Sequence, residues 1–208
     1  MSDNKSFKER TKNMDNKEKA KYIWHYYQAY FFGGIIFLLI IGSLLNTIVF
    51  NPPPKPFSTI VILDKYYSDE SLINFKNDFN AEFISEDVNE ELSIIPLYPS
   101  QNELAATQKF TVMLAAGEID IQIMDEKNLI NGKSQGIFYN LDELGIDTSN
   151  NEVEMSSYTA DGEVEPYPCA VKIDEDTYAA ISMSSRKLDN AVVTFNYFLK
   201  NYSKLGGK

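Results

Sequence analysis

Residues 31–50 read FFGGIIFLLIIGSLLNTIVF, twenty positions without a charge, where Ser43, Asn46 and Thr47 are the only polar side chains. Wound as a helix, such a run spans about 30 Å, the thickness of a bilayer's hydrocarbon core. Ahead of it, KYIWHYYQAYFF at 21–32 carries Tyr22, Trp24, Tyr26, Tyr27 and Tyr30. Amphipathic rings of this kind suit the headgroup layer, where one end of the ring stays wet. Behind it, NPPPKP at 51–56 stops a helix and continues as a stiff spacer. The stretch predicts an uncleaved transmembrane helix over 31–50, between a tail at 1–30 and a proline-rich linker at 51–57. A cleaved signal peptide fits less well, since its apolar run is shorter and a small-residue cleavage site follows it. His25 sits within the aromatic belt without a chemical partner in sequence, which predicts packing rather than metal binding or catalysis. Asn46 and the small residues Gly33, Gly34 and Gly42 offer contacts to a second helix within a membrane.

Charge is divided around this segment. Residues 1–30 hold seven lysines and arginines against four acids, a net of +3, and residues 51–208 hold a net of −14. The lysine excess predicts a cytoplasmic N-terminus and an outer domain at 58–208. The acidic balance disfavours nucleic acid as a partner, because phosphate binding needs a basic surface. One cysteine and one histidine in 208 residues exclude an internal disulfide and a Cys/His zinc cluster.

The outer 150 or so residues are enough for one domain. STIVIL at 58–63 predicts a strand. Leu72, Phe75, Phe79 and Phe83 recur at helical spacing over 69–83, with Ser68 or Asp69 as cap. LSIIPL at 92–97 predicts a second strand, with Pro96 suggesting an edge position or a strand end. Residues 102–116 predict a helix with Leu104, Phe110, Met113 and Leu114 on its apolar face, ended by Gly117. Residues 119–124 predict a third strand, 126–130 a short helix, 136–139 an extended piece and 141–144 a helical turn. The polar stretch 145–166 predicts a loop or weak hairpin. Strands at 169–173 and 177–183 then flank the turn Asp174-Glu175-Asp176, and a last helix runs over 188–202. The alternation predicts an α/β fold, a mostly parallel sheet flanked by helices.

Two stretches resemble the first lobe of extracellular solute-binding proteins of ABC importers, a periplasmic-binding-protein-like fold. The first is FTVMLAAGEIDIQIMDEKNLINGKSQGIFYNLDEL at 110–144. Its Ala115, Ala116, Gly117, Glu118, Asp120, Gly136, Phe138, Leu141, Asp142 and Leu144 match the family pattern, while Ile119 replaces a proline. The second, TYAAISMSSRKLDNAVVTFNYFL at 177–199, is similar to the strand and helix by which the chain returns from the second lobe. In the family a second lobe lies between these stretches, whereas here they are separated by about thirty residues. The resemblance therefore implies a single lobe, and one lobe does not enclose a solute by closing on a second. The whole layout is similar to small membrane-anchored proteins of Gram-positive bacteria.

In an open α/β sheet, ligands bind beyond the carboxyl ends of the strands. Asp64, Tyr66, Tyr98, Ser100, Asp125 and Glu126 fall there and are the candidate ligand-binding residues, although strand ends and caps use the same residue types. Asp161-Gly162-Glu163 and Asp174-Glu175-Asp176 lack the spacing of a calcium loop. Cys169 reads as a small core residue. No nucleophile–base dyad, phosphate loop or metal motif occurs, so the expectation is a non-enzyme without cofactor or metal. The expected partners are the lipid bilayer, a membrane or envelope protein such as a transporter, and a weakly bound small solute. A sensor signalling through residues 1–30 and a structural interaction protein without ligand are the alternatives.

Overall fold

The computed structural model describes residues 12, 14–98, 103–149, 151–159 and 161–206. The chain divides into two compact units, Met1–Pro53 and Pro54–Lys208.

In the first unit, α1 runs over Asn16–Leu45 and continues as one π-helical turn, Asn46–Phe50. Glu18 closes its start by accepting a hydrogen bond from the Asp15 backbone N–H at 3.2 Å. The whole helix, Asn16–Phe50, reaches a mean hydropathy of 2.3 in its most apolar window and buries none of that window. It is long and apolar enough to cross a membrane. The wide last turn is held from one residue beyond it. The Asn51 backbone N–H donates to the Asn46 carbonyl at 2.9 Å, and Asn51 Nδ2 donates to Asn46 Oδ1 at 3.2 Å. The Asn46 side chain thus finds a partner within its own helix end. His25 packs edge-on to Tyr26, ring centroids 5.8 Å apart.

The second unit is built on a six-stranded sheet. Its strands are β1 Lys55–Leu63, β2 Glu90–Leu97, β3 Ile121–Met124, β4 Glu152–Thr159, β5 Gly162–Asp174 and β6 Thr177–Ile181, in the order β2-β1-β3-β6-β5-β4. Strand β1 already begins at Lys55, so the linker is shorter than 51–57. The helices are α2 Asp69–Phe83, α3 Glu103–Ala116, α4 Glu126–Gln135 and α5 Leu188–Asn201, and a 3-10 turn follows at Tyr202–Leu205.

The sheet is mixed, and the expectation of a mostly parallel one is corrected. Strand β1 pairs parallel with β2 and β3, while the β3–β6, β6–β5 and β5–β4 pairings are antiparallel. The cause is local. A tight turn carries β5 into β6, and a hairpin connection makes neighbours antiparallel. The stretch 145–166, expected as a loop or weak hairpin, takes the hairpin form and supplies β4 and the first part of the long β5.

Both faces are covered. Ile60, Ile62, Ile121 and Ile123 point to the side where α2 and α5 bring Phe75, Phe79, Phe195 and Phe198. Val61, Leu63 and Met124 point to the side where α3 and α4 bring Met113 and Leu129. Burial on both faces explains the unbroken β-branched run of β1. Aromatic rings lock the first side. Tyr197 lies 5.3 Å from Phe75 and 5.2 Å from Phe79, both edge-on. On the second side Gly132 gives room to the Phe138 ring, which a Cβ there would strike. Leu104 departs from its expected place and is 70% exposed. At 3.6 residues per turn it stands about 120° around α3 from Phe110, off the stripe that meets the sheet.

Candidate functional site

Strands β1, β2 and β3 end together, and the chain leaves each end in a different way. Asp64 turns off β1 with φ 55°, while its N–H donates to the Leu97 carbonyl at 3.1 Å. That bend releases Tyr66, 80% exposed, whose ring lies 6.1 Å from that of Tyr98 at the end of β2. Partial burial raises the Tyr98 hydroxyl, and the neighbouring Tyr66 and Asp69 add to the rise. Ser100 lies outside the described residues. Past β3, Asp125 caps α4. Its Oδ1 accepts from the Asn128 backbone N–H at 2.9 Å and from Asn128 Nδ2 at 2.8 Å. Glu126 opens the helix, and its backbone N–H donates to Asp176 Oδ1 at 3.3 Å.

Of the expected residues, the fold brings Asp64, Tyr66 and Tyr98 to one corner. It ties Asp125 into a helix cap, the ordinary use of an aspartate at that position. What connects the β1 corner to α4 is a pair of residues outside the candidate set. Lys65 Nζ meets Asp176 Oδ2 at 3.0 Å, so Asp176 in the β5–β6 turn bridges a lysine after β1 and the first amide of α4. The hydrogen bond from Lys65 lowers the Asp176 carboxyl, with the Glu126 amide adding to it.

Beside this bridge is an open recess of about 420 Å³. Lys65, Tyr66, Tyr67, Ser71, Asp174 and Tyr202 stand around it. Tyr67 and Tyr202 share a hydroxyl contact of 3.3 Å, with their rings edge-on at 6.4 Å. Burial, reinforced by that contact, pushes the Tyr67 hydroxyl far above the ordinary phenol range. The recess presents phenol hydroxyls and a lysine tethered to Asp176, groups able to hydrogen-bond a ligand.

A second concavity opens at the other end of the sheet, on the α3 side. Its volume is about 290 Å³, and Asp120, just before β3, forms part of its lining. Asp120 is 4% exposed. Its Oδ2 accepts from the Thr59 backbone N–H at 2.8 Å, and its Oδ1 from Ser185 Oγ at 2.5 Å. Burial raises this carboxyl, against the hydrogen bonds from Ser185 and Thr59 that favour its ionised form. The signal available in sequence was an acidic residue just before a strand whose only other polar side chain is Gln122.

Cys169 is buried, donates to the Glu154 carbonyl at 3.3 Å, and has its thiol pushed up to about 11 by burial. Among the described residues, no group of three or more His, Cys, Asp or Glu side chains is placed to hold a metal ion. No family model, curated protein or solved structure matches the chain.

Proposed function

We propose that this chain is a single-pass membrane protein whose outer α/β unit serves as a one-lobe, solute-binding-like interaction domain. The observation that carries the reading is a single helix bearing an uncharged run at 31–50, with a lysine excess before it and a folded acidic unit after it. A helix with no buried face and this length gains most by placing its side chains in lipid. The arrangement of β6 and α5 supports the one-lobe reading. They fall within the stretch that resembles the returning strand and helix of solute-binding proteins, and β6 is hydrogen-bonded to β3. The β4–β5 hairpin lies between the two stretches that carry the resemblance. The strand-end recess, open on one side, suits a protein surface or a weakly held solute better than an enclosed one. In this reading the chain is not an enzyme, and its partner is a transporter or another envelope complex.

The topology is tested by cysteine labelling on intact cells. A cysteine replacing Ser203, exposed in the turn after α5, reacts with a membrane-impermeant maleimide, and one replacing Ser6 does not. Buried Cys169 leaves the background low. Labelling at Ser6 alone refutes the orientation. Purification of the full chain from native membranes then separates the functions: enriched transporter subunits support the accessory role, and their absence removes it.

A further inference from the structure

The first turns of α1 sort their side chains by chemistry around the helix axis. At about 100° per residue, Lys17, Lys21, Trp24, His25 and Gln28 fall within about 100° of arc. Lys19, Tyr22, Tyr26 and Tyr30 fall on the opposite side. The first face runs on into the uncharged segment through Phe31 and Phe32. The Trp24 ring lies 6.0 Å from that of Phe31 and 5.9 Å from that of Phe32, so the indole joins the polar turns to the apolar ones. Along one side of the helix, cations give way to an imidazole, an amide and an indole, and then to hydrocarbon.

The cations of this face have no partner. Lys17 and Lys21 are exposed and take part in none of the ion pairs among the described residues. Two carboxylates stand close in sequence, Asp15 and Glu18, but both belong to the start of the helix. Glu18 turns back to accept from the Asp15 backbone N–H at 3.2 Å, where the positive end of the helix dipole favours it. His25 and Gln28 are exposed as well. Depth orders the same groups. Gln28, His25 and Trp24 precede Phe31 by between about 4 and 11 Å along the axis, the level of lipid headgroups beside a hydrocarbon core. Lys21 stands one turn further out, within a Debye length of that layer, about 8 Å.

We propose that this face of α1 binds the headgroup of an anionic phospholipid, its phosphate oxygens meeting the Lys21 ammonium and the His25 ring N–H, its acyl chain lying along Trp24 and Phe31. The inference rests on the membrane reading of α1 and deepens it. Spanning requires only apolar length, whereas a one-sided row of cation, imidazole and indole selects which lipid lies against the helix. A zwitterionic headgroup carries its own ammonium beside the phosphate and gains less from a second. The tyrosine face opposite, with Tyr22 and Tyr26 centroids 4.7 Å apart, suits the headgroup layer without regard to charge.

Trp24 is the only tryptophan of the chain and reports its own neighbours. The full chain is reconstituted into phosphatidylcholine vesicles holding an equal fraction of brominated phosphatidylglycerol or brominated phosphatidylcholine, since bromine quenches an indole beside it. Brominated phosphatidylglycerol quenches more strongly, with a preference of about fivefold. Lys21→Gln reduces that preference to within about twofold, and Lys19→Gln, on the opposite face, leaves it unchanged. Flotation with the vesicles shows that each variant is inserted. A native chain that floats but is quenched equally by both lipids overturns this inference alone. So does a loss in Lys19→Gln as large as that in Lys21→Gln, which marks diffuse attraction rather than a face. A native chain that floats with neither vesicle overturns the membrane reading and this inference with it.

Discussion

Ser68 shows how one side chain sets an element. Its Oγ accepts from the Ser71 backbone N–H at 3.1 Å and so satisfies a donor that α2 leaves free at its start. Asp69 and Glu70 add negative charge to the same positive helix end. Ser68→Ala is expected to lower the stability of the second unit by about 1 kcal/mol, read from the urea midpoint. Asp120 predicts a dependence on pH. Its folded carboxyl sits above its unfolded value, so the stability it supplies is fully present below the unfolded value and is lost as pH rises through the folded one. Acidification from neutral into the carboxylate range should therefore raise the urea midpoint of the native chain relative to Asp120→Asn, which has no proton to gain there. A native chain that loses ground to the variant on acidification would show that Thr59 and Ser185 outweigh burial.

At the scale of elements, α2 and α5 hold the sheet through interleaved rings. Phe75 is fully buried and meets Tyr197 at 5.3 Å and Phe198 at 6.1 Å. Phe75→Ala opens a cavity between both helices and the sheet and should cost about 3–5 kcal/mol, measured by denaturant unfolding. Helix α2 was legible to the residue, Asp69–Phe83, because a cap, acidic first turn and three-four apolar spacing agree. The edge position of β2 was legible from Pro96. Strand β4 was legible only as one arm of a weak hairpin, since its alternation of Glu152, Val153, Glu154 and Met155 is followed by serines, and glutamate is depleted in strands. The site divides the same way. The Tyr66–Tyr98 corner joins the ends of two successive strands and follows from the order of elements. The Lys65–Asp176 bridge spans 111 positions and exists only because β6 enters the sheet in reverse. No local pattern encodes such a contact.

For the molecule as a whole, the two rims of the sheet are the places where a neighbouring copy would add itself. Along β2, Pro96 removes a donor from the outermost row. Along β4, Glu152 and Glu154 line the other rim, Glu152 paired with Lys172 at 3.3 Å and Glu154 with Lys133 at 3.1 Å. A second copy approaching β4 edge to edge brings the same carboxylates against these. Glu152→Val combined with Glu154→Val should yield concentration-dependent light scattering that the native protein lacks. Crowded chains meet rim to rim far more often than dilute ones do. Rims of this kind let copies be packed closely, patch after patch, while each stays a separate particle and none becomes the seed of a fibre.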